Sequence, residues 1–338
     1  MVTMQALKFS ESCGLLLEKH HEKPTAAADE ASIRVIRAGV CSTDLEILKG
    51  YVPGYDHILG HEFVGVVESC ASRPQLEGKR VVGEINCACS GAEAHPDPIF
   101  NRNHSPGRTV LGIIGRNGTM AEYLTLPVVN LHLVPDQITD KEACFAEPLA
   151  AACRIAEQQV SQKGDKVAVI GDGKLGLLVA QALVVQGHTG LVHFGKHEHK
   201  LSLVQGSSWE VVDDSTSSCH AQEFDVVVEA SGSSQGITLA SAMTRPMGTL
   251  ILKSTCSALN DPDMPVWSNI ANDIVVNEKR LQGSRCGPFG PALEALQDAR
   301  LKQLLEKMVT QTFHISDGVK AIEKAQTKGV LKVQIIMQ

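Results

Sequence analysis

Residues 167–176 read VAVIGDGKLG, and their order of chemistry points to one kind of fold. Four apolar residues in a row suit a strand buried on both faces of a parallel sheet. Gly171, Gly173 and Gly176 follow at the spacing G-x-G-x-x-G, and residues 175–183 continue as an apolar helix. In that context Gly171 permits a tight turn, Gly173 lets the backbone approach a diphosphate, and Gly176 lets helix and strand pack closely. Lys174 and Leu175 open the helix, whose first N–H groups lack intrahelical partners and are offered to an anion. The strand before and the helix after separate this pattern from an ordinary glycine-rich turn. It predicts a dinucleotide-binding unit.

An acidic residue that holds the ribose 2′-hydroxyl is expected about twenty residues further on. The next strand, in GLVHFGKHEHK, ends instead at Gly195, followed by Lys196, His197 and Lys200. A carboxylate there would repel a 2′-phosphate, whereas a glycine with adjacent cations leaves room and favourable charge for one. The reading is NADP(H) over NAD(H). Working outward, strand, turn and helix repeat through FDVVVEASG and GTLILKS, which predicts an α/β region with a doubly wound parallel sheet. Upstream, short β-rich segments such as ASIRVIRAGV and FVGVVESC alternate with Gly, Pro and Asn turns. After about residue 290 come two helical stretches, PALEALQDARLKQLLEKMV and one around ISDGVKAIEKAQ, and a closing strand, GVLKVQIIM.

At 338 residues, two domains are the natural division of the chain. A hydrophobic share of 43% with 20% charged residues is that of a soluble globular protein. The formal net charge of -7 offers no basic face to a phosphate backbone, so a small molecule is the expected partner and nucleic acid is not. No stretch approaches the roughly eighteen apolar residues of a membrane span, and MVTMQALKFSESCG lacks the basic start and apolar run of a signal peptide. The expectation is a cytoplasmic protein with no membrane partner. Ten cysteines, scattered singly, suit reduced thiols and metal ligation better than a disulfide framework.

Residues 41–62, CSTDLEILKGYVPGYDHILGHE, supply the candidate chemistry. A catalytic zinc ion takes three or four ligands from Cys, His and carboxylate groups and keeps a position open to water or substrate. Cys41, His61 and Glu62 come from this one segment, and Glu147 stands in CFAEPLAAACRI, immediately before a helix. Each alone has a plainer reading as a buried thiol, a core histidine or a surface carboxylate. The combination makes a candidate metal set.

The pieces AGVCSTDLEI, GHEFVG, GKRVVGE, RTVLGI, GTMAEYLTLP, AEPLAAA, the glycine turn and GVLKV occur in the order found in zinc-dependent medium-chain dehydrogenases and reductases. The chain resembles this alcohol and polyol dehydrogenase superfamily over essentially its whole length. The resemblance implies a GroES-like β-barrel catalytic domain, residues 1–154 plus 291–338, with a Rossmann domain, residues 155–290, inserted in it. It also implies one catalytic zinc on Cys41, His61 and Glu147, with Glu62 as a nearby carboxylate that ligates transiently or supports the ligands. Asp44 would orient His61, and Thr43 would take the proton of the substrate alcohol. Glu46 stands where many relatives carry the histidine that passes this proton to solvent, so either Glu46 itself shuttles the proton or the route runs through Glu62 and water. Lys332 resembles the basic residue brought to the cofactor diphosphate, and residues 225–232, DVVVEASG, resemble the turn beneath the nicotinamide ribose.

Many relatives hold a second, structural zinc with four cysteines after GKRVVGE. Here Cys89 falls on the first ligand, but Ala92, His95 and Ser105 fall near the others, so no structural zinc is expected. An altered site would have to draw on Cys87, Cys89, His95 or His104. The resemblance implies hydride transfer between an alcohol or its carbonyl and a nicotinamide cofactor, in a homodimer or homotetramer. The alternatives are a zinc-free reductase of activated double bonds and a dinucleotide-binding protein without turnover.

Overall fold

In the computed structural model, which describes residues 2–88, 95–159, 161–162, 164–255 and 267–338, Val167–Ile170 forms an inner strand of a six-stranded parallel sheet. The strands run in the order Ser208–Val211, Leu191–Gly195, Val167–Ile170, Phe224–Glu229, Thr244–Leu252, Arg280–Gly283. The chain reverses its direction of winding between Val167–Ile170 and Phe224–Glu229, the switch point at which this fold binds its ligand. Val167 sits opposite Leu191 on one side and Val226 on the other, so the apolar run is covered along both edges. Phe194 meets Phe224 edge to face at 5.8 Å in the core beneath it.

The glycine turn has the geometry its spacing demands. Gly171 has φ +121°, and a Cβ on it would lie 2.7 Å from the Ala230 carbonyl carbon. A Cβ on Gly176 would lie 1.9 Å from the Gly171 carbonyl oxygen, so only glycine lets the helix Lys174–Val185 start this close to the strand. Nothing lies within 4 Å of the corresponding position on Gly173. Residues 176–184 of that helix are buried, as expected for a helix apolar on all sides.

The chain divides into two compact units, Pro148–Lys307 on the one hand and Met1–Glu147 with Met308–Gln338 on the other. The first is longer than the strand–turn–helix stretch 155–290: it also takes in residues 148–154 and 291–307. The second is built on antiparallel sheets. Its larger sheet has seven strands, with Glu30–Gly39 lying between Glu62–Ser69 and Lys332–Ile336 and antiparallel to both. Gly39 is paired with Glu62 on one side and with Gln334 on the other. This register gathers residues from three distant parts of the chain at one strand end. A three-stranded sheet, Gly14–Glu22, Thr3–Ser10 and Asp56–Ile58, completes this unit's main β-structure. Among the described residues no helix is long and apolar enough to cross a membrane.

Candidate metal centre and dinucleotide turn

Strand Glu30–Gly39 runs out into Cys41, whose extended backbone (φ -98°, ψ 159°) caps the short helix Ser42–Ile47. Asp44 reaches back from the first turn, and its Oδ2 accepts the Cys41 N–H at 2.8 Å. This bond fixes the cysteine where the helix begins. The Thr43 hydroxyl lies 3.8 Å from Cys41 Sγ. His61 follows Gly60, which has φ +95° and whose Cβ would fall 2.5 Å from Thr119 Oγ1. Glu62 then begins the strand that pairs with Gly39.

The ligand atoms of Cys41, His61 and Glu62 lie within 4.8 Å of one another. His61 and Glu62 are buried, and Cys41 is half-buried. His61 Nδ1 stands 3.3 Å from Asp44 Oδ1, off the line that a hydrogen bond needs, so both atoms are buried without a hydrogen-bond partner. Glu62 Oε1 is in the same condition. Buried polar atoms without partners cost roughly 1–3 kcal/mol each, so this cluster is built for something that pairs with it. A divalent cation fits the donor set: a thiolate, an imidazole and a carboxylate are the ligands that zinc takes. With Nδ1 turned to Asp44, Nε2 is the ring nitrogen left for a ligand. Burial works to lower the His61 pKa, but the Asp44 carboxylate and the Cys41 sulfur outweigh it and hold the imidazole well above its ordinary value. The surroundings therefore favour positive charge at this point.

Lys332 sits beside Glu62. Its Nζ forms an ion pair with Glu62 Oε2, lies 3.3 Å from the Val40 carbonyl oxygen and 5.5 Å from the centre of the Phe145 ring, and is buried. The pairing of its strand with Glu30–Gly39 brings it there. Glu147 stands half-buried in the first turn of the helix Ala146–Glu157, outside the group of three. Glu46 is turned to Lys49, which donates to its Oε1 at 2.8 Å, and also lies outside that group. Cys89 and Ala92 lie outside the described residues. Cys87 is buried in a two-residue strand, and burial pushes its thiol pKa up to about 11. His95 packs against Phe100 with ring centres 4.3 Å apart.

In the dinucleotide unit, the helix after Gly173 starts without a side-chain cap, and its N-terminal end suits an anion. His193, fully buried one strand over, donates from Nε2 to the Gly171 carbonyl at 2.9 Å. Burial holds its pKa below the ordinary value, so it acts here as a neutral strut. At the switch point Glu229 is buried, and its Oε1 accepts from the amides of Ser231 and Gly232 at 2.6 and 3.1 Å. Gly195 is buried at the end of its strand, Lys196 is exposed and Lys200 is half-buried in the short helix Glu198–Leu201. Three contributors escape a reading of the sequence: Gly39, whose Cβ would fall 2.1 Å from Glu62 Oε2; Lys332 as partner of Glu62; and Asp172, which fills the space beside Gly195. Asp172 alone carried a signal, as the one acidic residue inside the glycine turn.

Comparison with known proteins adds the family context. The alcohol dehydrogenase GroES-like domain matches residues 27–136, and the glucose dehydrogenase C-terminus matches residues 143–335. D-arabitol-phosphate dehydrogenase of Enterococcus avium is 26% identical over 92% of this chain and 91% of its own. (R,R)-butanediol dehydrogenase of Bacillus subtilis (strain 168) is 28% identical over 96% of this chain and 98% of its own. A solved structure from Sinorhizobium meliloti 1021, assigned as a zinc-binding dehydrogenase and bound to NADP, superposes with a TM-score of 0.84 at 23% identity, covering 99% of this chain and all of that one.

Proposed function

We infer the reaction from one premise: this chain belongs to the zinc-dependent medium-chain alcohol and polyol dehydrogenases, a single family domain matching more than half of its length. It is an NAD(P)-dependent oxidoreductase that moves a hydride between a small alcohol or polyol and a nicotinamide cofactor. We propose further that it uses one catalytic zinc ion and prefers NADP(H).

The observation that carries this reading is the group of half-buried Cys41 with buried His61 and Glu62, in which polar atoms of His61, Asp44 and Glu62 are left unpaired. When bound, zinc supplies a Lewis acid for the alcohol oxygen, and the nicotinamide takes or returns the hydride. Cys41 and His61 hold the metal, with carboxylate from Glu147 and, at need, from Glu62. Asp44 sets the His61 ring through its charge while tying Cys41 to the start of its helix. Lys332 pairs with Glu62 inside the fold. Thr43 is the hydroxyl that takes the proton of the alcohol. With Glu46 engaged by Lys49, that proton passes from Thr43 toward solvent without a side-chain relay at position 46. In the dinucleotide unit, Gly173 and the uncapped helix opened by Lys174 and Leu175 receive the diphosphate. A glycine at position 195 beside Lys196 and Lys200 supports a 2′-phosphate over a bare hydroxyl.

Purified protein is expected to hold one zinc per chain by elemental analysis and to lose it in Cys41→Ala, together with NADP(H)-linked turnover of polyols and their phosphates. Turnover by a metal-free protein would favour the zinc-free reductase reading. Zinc retained with no turnover of any alcohol or carbonyl would overturn the enzymatic one.

A further inference from the structure

The strand Leu191–Gly195 ends without the carboxylate that this fold ordinarily sets against the cofactor ribose, yet the place is filled. A Cβ built on Gly195 would lie 2.7 Å from Asp172 Cβ and 3.0 Å from Asp172 Cγ. Side chains at 172 and 195 therefore exclude each other. Asp172 comes from the other side of the pocket, the second position of the glycine turn, and projects its carboxylate over the strand end. Three donors converge on its Oδ2: the amides of Lys196 and His197, at 2.9 and 2.7 Å, and His197 Nδ1 at 2.8 Å. Among the described residues none donates to Oδ1.

Two consecutive amides aimed at one point make an anion-binding nest, and here Asp172 already occupies it. Burial works to raise the Asp172 pKa, but the bonds from His197 and the charge of Lys200 outweigh it, so the side chain is an anion at neutral pH. The phosphate-attracting lysines and a fixed negative charge thus stand at the same pocket.

We propose that Asp172 is a specificity-determining residue for the cofactor: its Oδ1 accepts the ribose 2′-hydroxyl of NAD(H), and its charge and its hold on the Lys196 and His197 amides oppose the 2′-phosphate of NADP(H). This rests on the dinucleotide reading of the glycine turn and limits the preference that Lys196 and Lys200 create. The protein then accepts both cofactors, and the balance between them is set by one carboxylate that belongs to the phosphate-binding turn and not to the strand end.

Calorimetric titration of the full chain with 5′-AMP and with 2′,5′-ADP tests this without catalysis. Asp172→Asn is expected to raise the affinity ratio of 2′,5′-ADP to 5′-AMP by about tenfold, since a full charge beside the phosphate is removed and only partly screened. The pair Asp172→Gly with Gly195→Asp removes the Cβ that would clash, moves the carboxylate to the strand end and is expected to stay within about threefold of the wild-type ratio. An unchanged ratio in Asp172→Asn, or a drop of about tenfold or more in the double variant, overturns the role of Asp172. If Asp172→Asn does not fold, the double variant decides alone. Wild-type protein that binds neither nucleotide overturns the dinucleotide reading itself. A wild-type ratio below one removes the NADP(H) preference and leaves the Asp172 shift readable.

Discussion

The missing side chain of Gly39 is what gives the Glu62 carboxylate its place. A methyl group there would fall 2.1 Å from Glu62 Oε2, and Glu62 is fully buried with Lys332 against it, so the carboxylate has little room to yield. Gly39→Ala is expected to displace Glu62 and cost about 1–3 kcal/mol by overpacking, read as a lower urea midpoint. Weaker zinc retention in a chelator competition should accompany it. A variant with wild-type midpoint and zinc affinity would mean that Glu62 moves freely. Cys41, His61 and Glu62 are legible in the sequence because one short stretch carries all three and the flanking words match a known order. Gly39 and Lys332 are not, because their meaning lies in a strand pairing that joins residues 270 positions apart. From the sequence Lys332 resembles a residue for the cofactor diphosphate, and its pairing with Glu62 emerges only once the register of its strand is known.

Among the elements, the helix Lys174–Val185 depends most on a single position. Gly176 lies where a Cβ would come 1.9 Å from the Gly171 carbonyl oxygen, and a backbone atom cannot swing aside as a side-chain tip can. Gly176→Ala is expected to lift the helix from its strand, lowering stability by about 3 kcal/mol or more and weakening 5′-AMP binding by about tenfold. Denaturation and calorimetry on the same preparation check both, and unaltered binding would detach this turn from the nucleotide. The parallel sheet is the most legible part of the fold, since apolar runs followed by glycine turns leave little choice of architecture. The β-rich unit is less so: its main strands are interrupted by bulges such as that between Val35 and Arg37 and are paired out of sequence order.

For the whole molecule, acid should act on both units. In the β-rich unit Arg116 pairs with Glu30 at 2.8 Å; in the other, Lys279 pairs with Asp273 at 2.8 Å and Arg245 with Asp225 at 2.6 Å. Burial works to raise the pKa of each of these carboxyls, but it is outweighed by Arg116 at Glu30, by Lys279 at Asp273, and by the Lys166 amide together with Arg245 at Asp225, which leaves all three below their ordinary values. The unfolded chain then binds more protons than the folded one, so the stabilisation is present above the ordinary values of 4.5 and 3.8 and is lost as pH falls through the depressed ones. A thermal midpoint that declines steadily below about pH 4.5 is expected, and a midpoint flat to pH 3 would show that these pairs contribute nothing. Composition and charge could not foretell this, because it depends on which charges meet.

The pairing of Lys332 with Glu62 also has a consequence for the making of the protein. Cys41, His61 and Glu62 are translated early, but the cation that neutralises Glu62 arrives only after the entire dinucleotide-binding unit has been synthesised. Until that strand is laid against Glu30–Gly39, Glu62 is without this partner. The pair that closes the Glu62 end of the site is therefore a late event in biosynthesis.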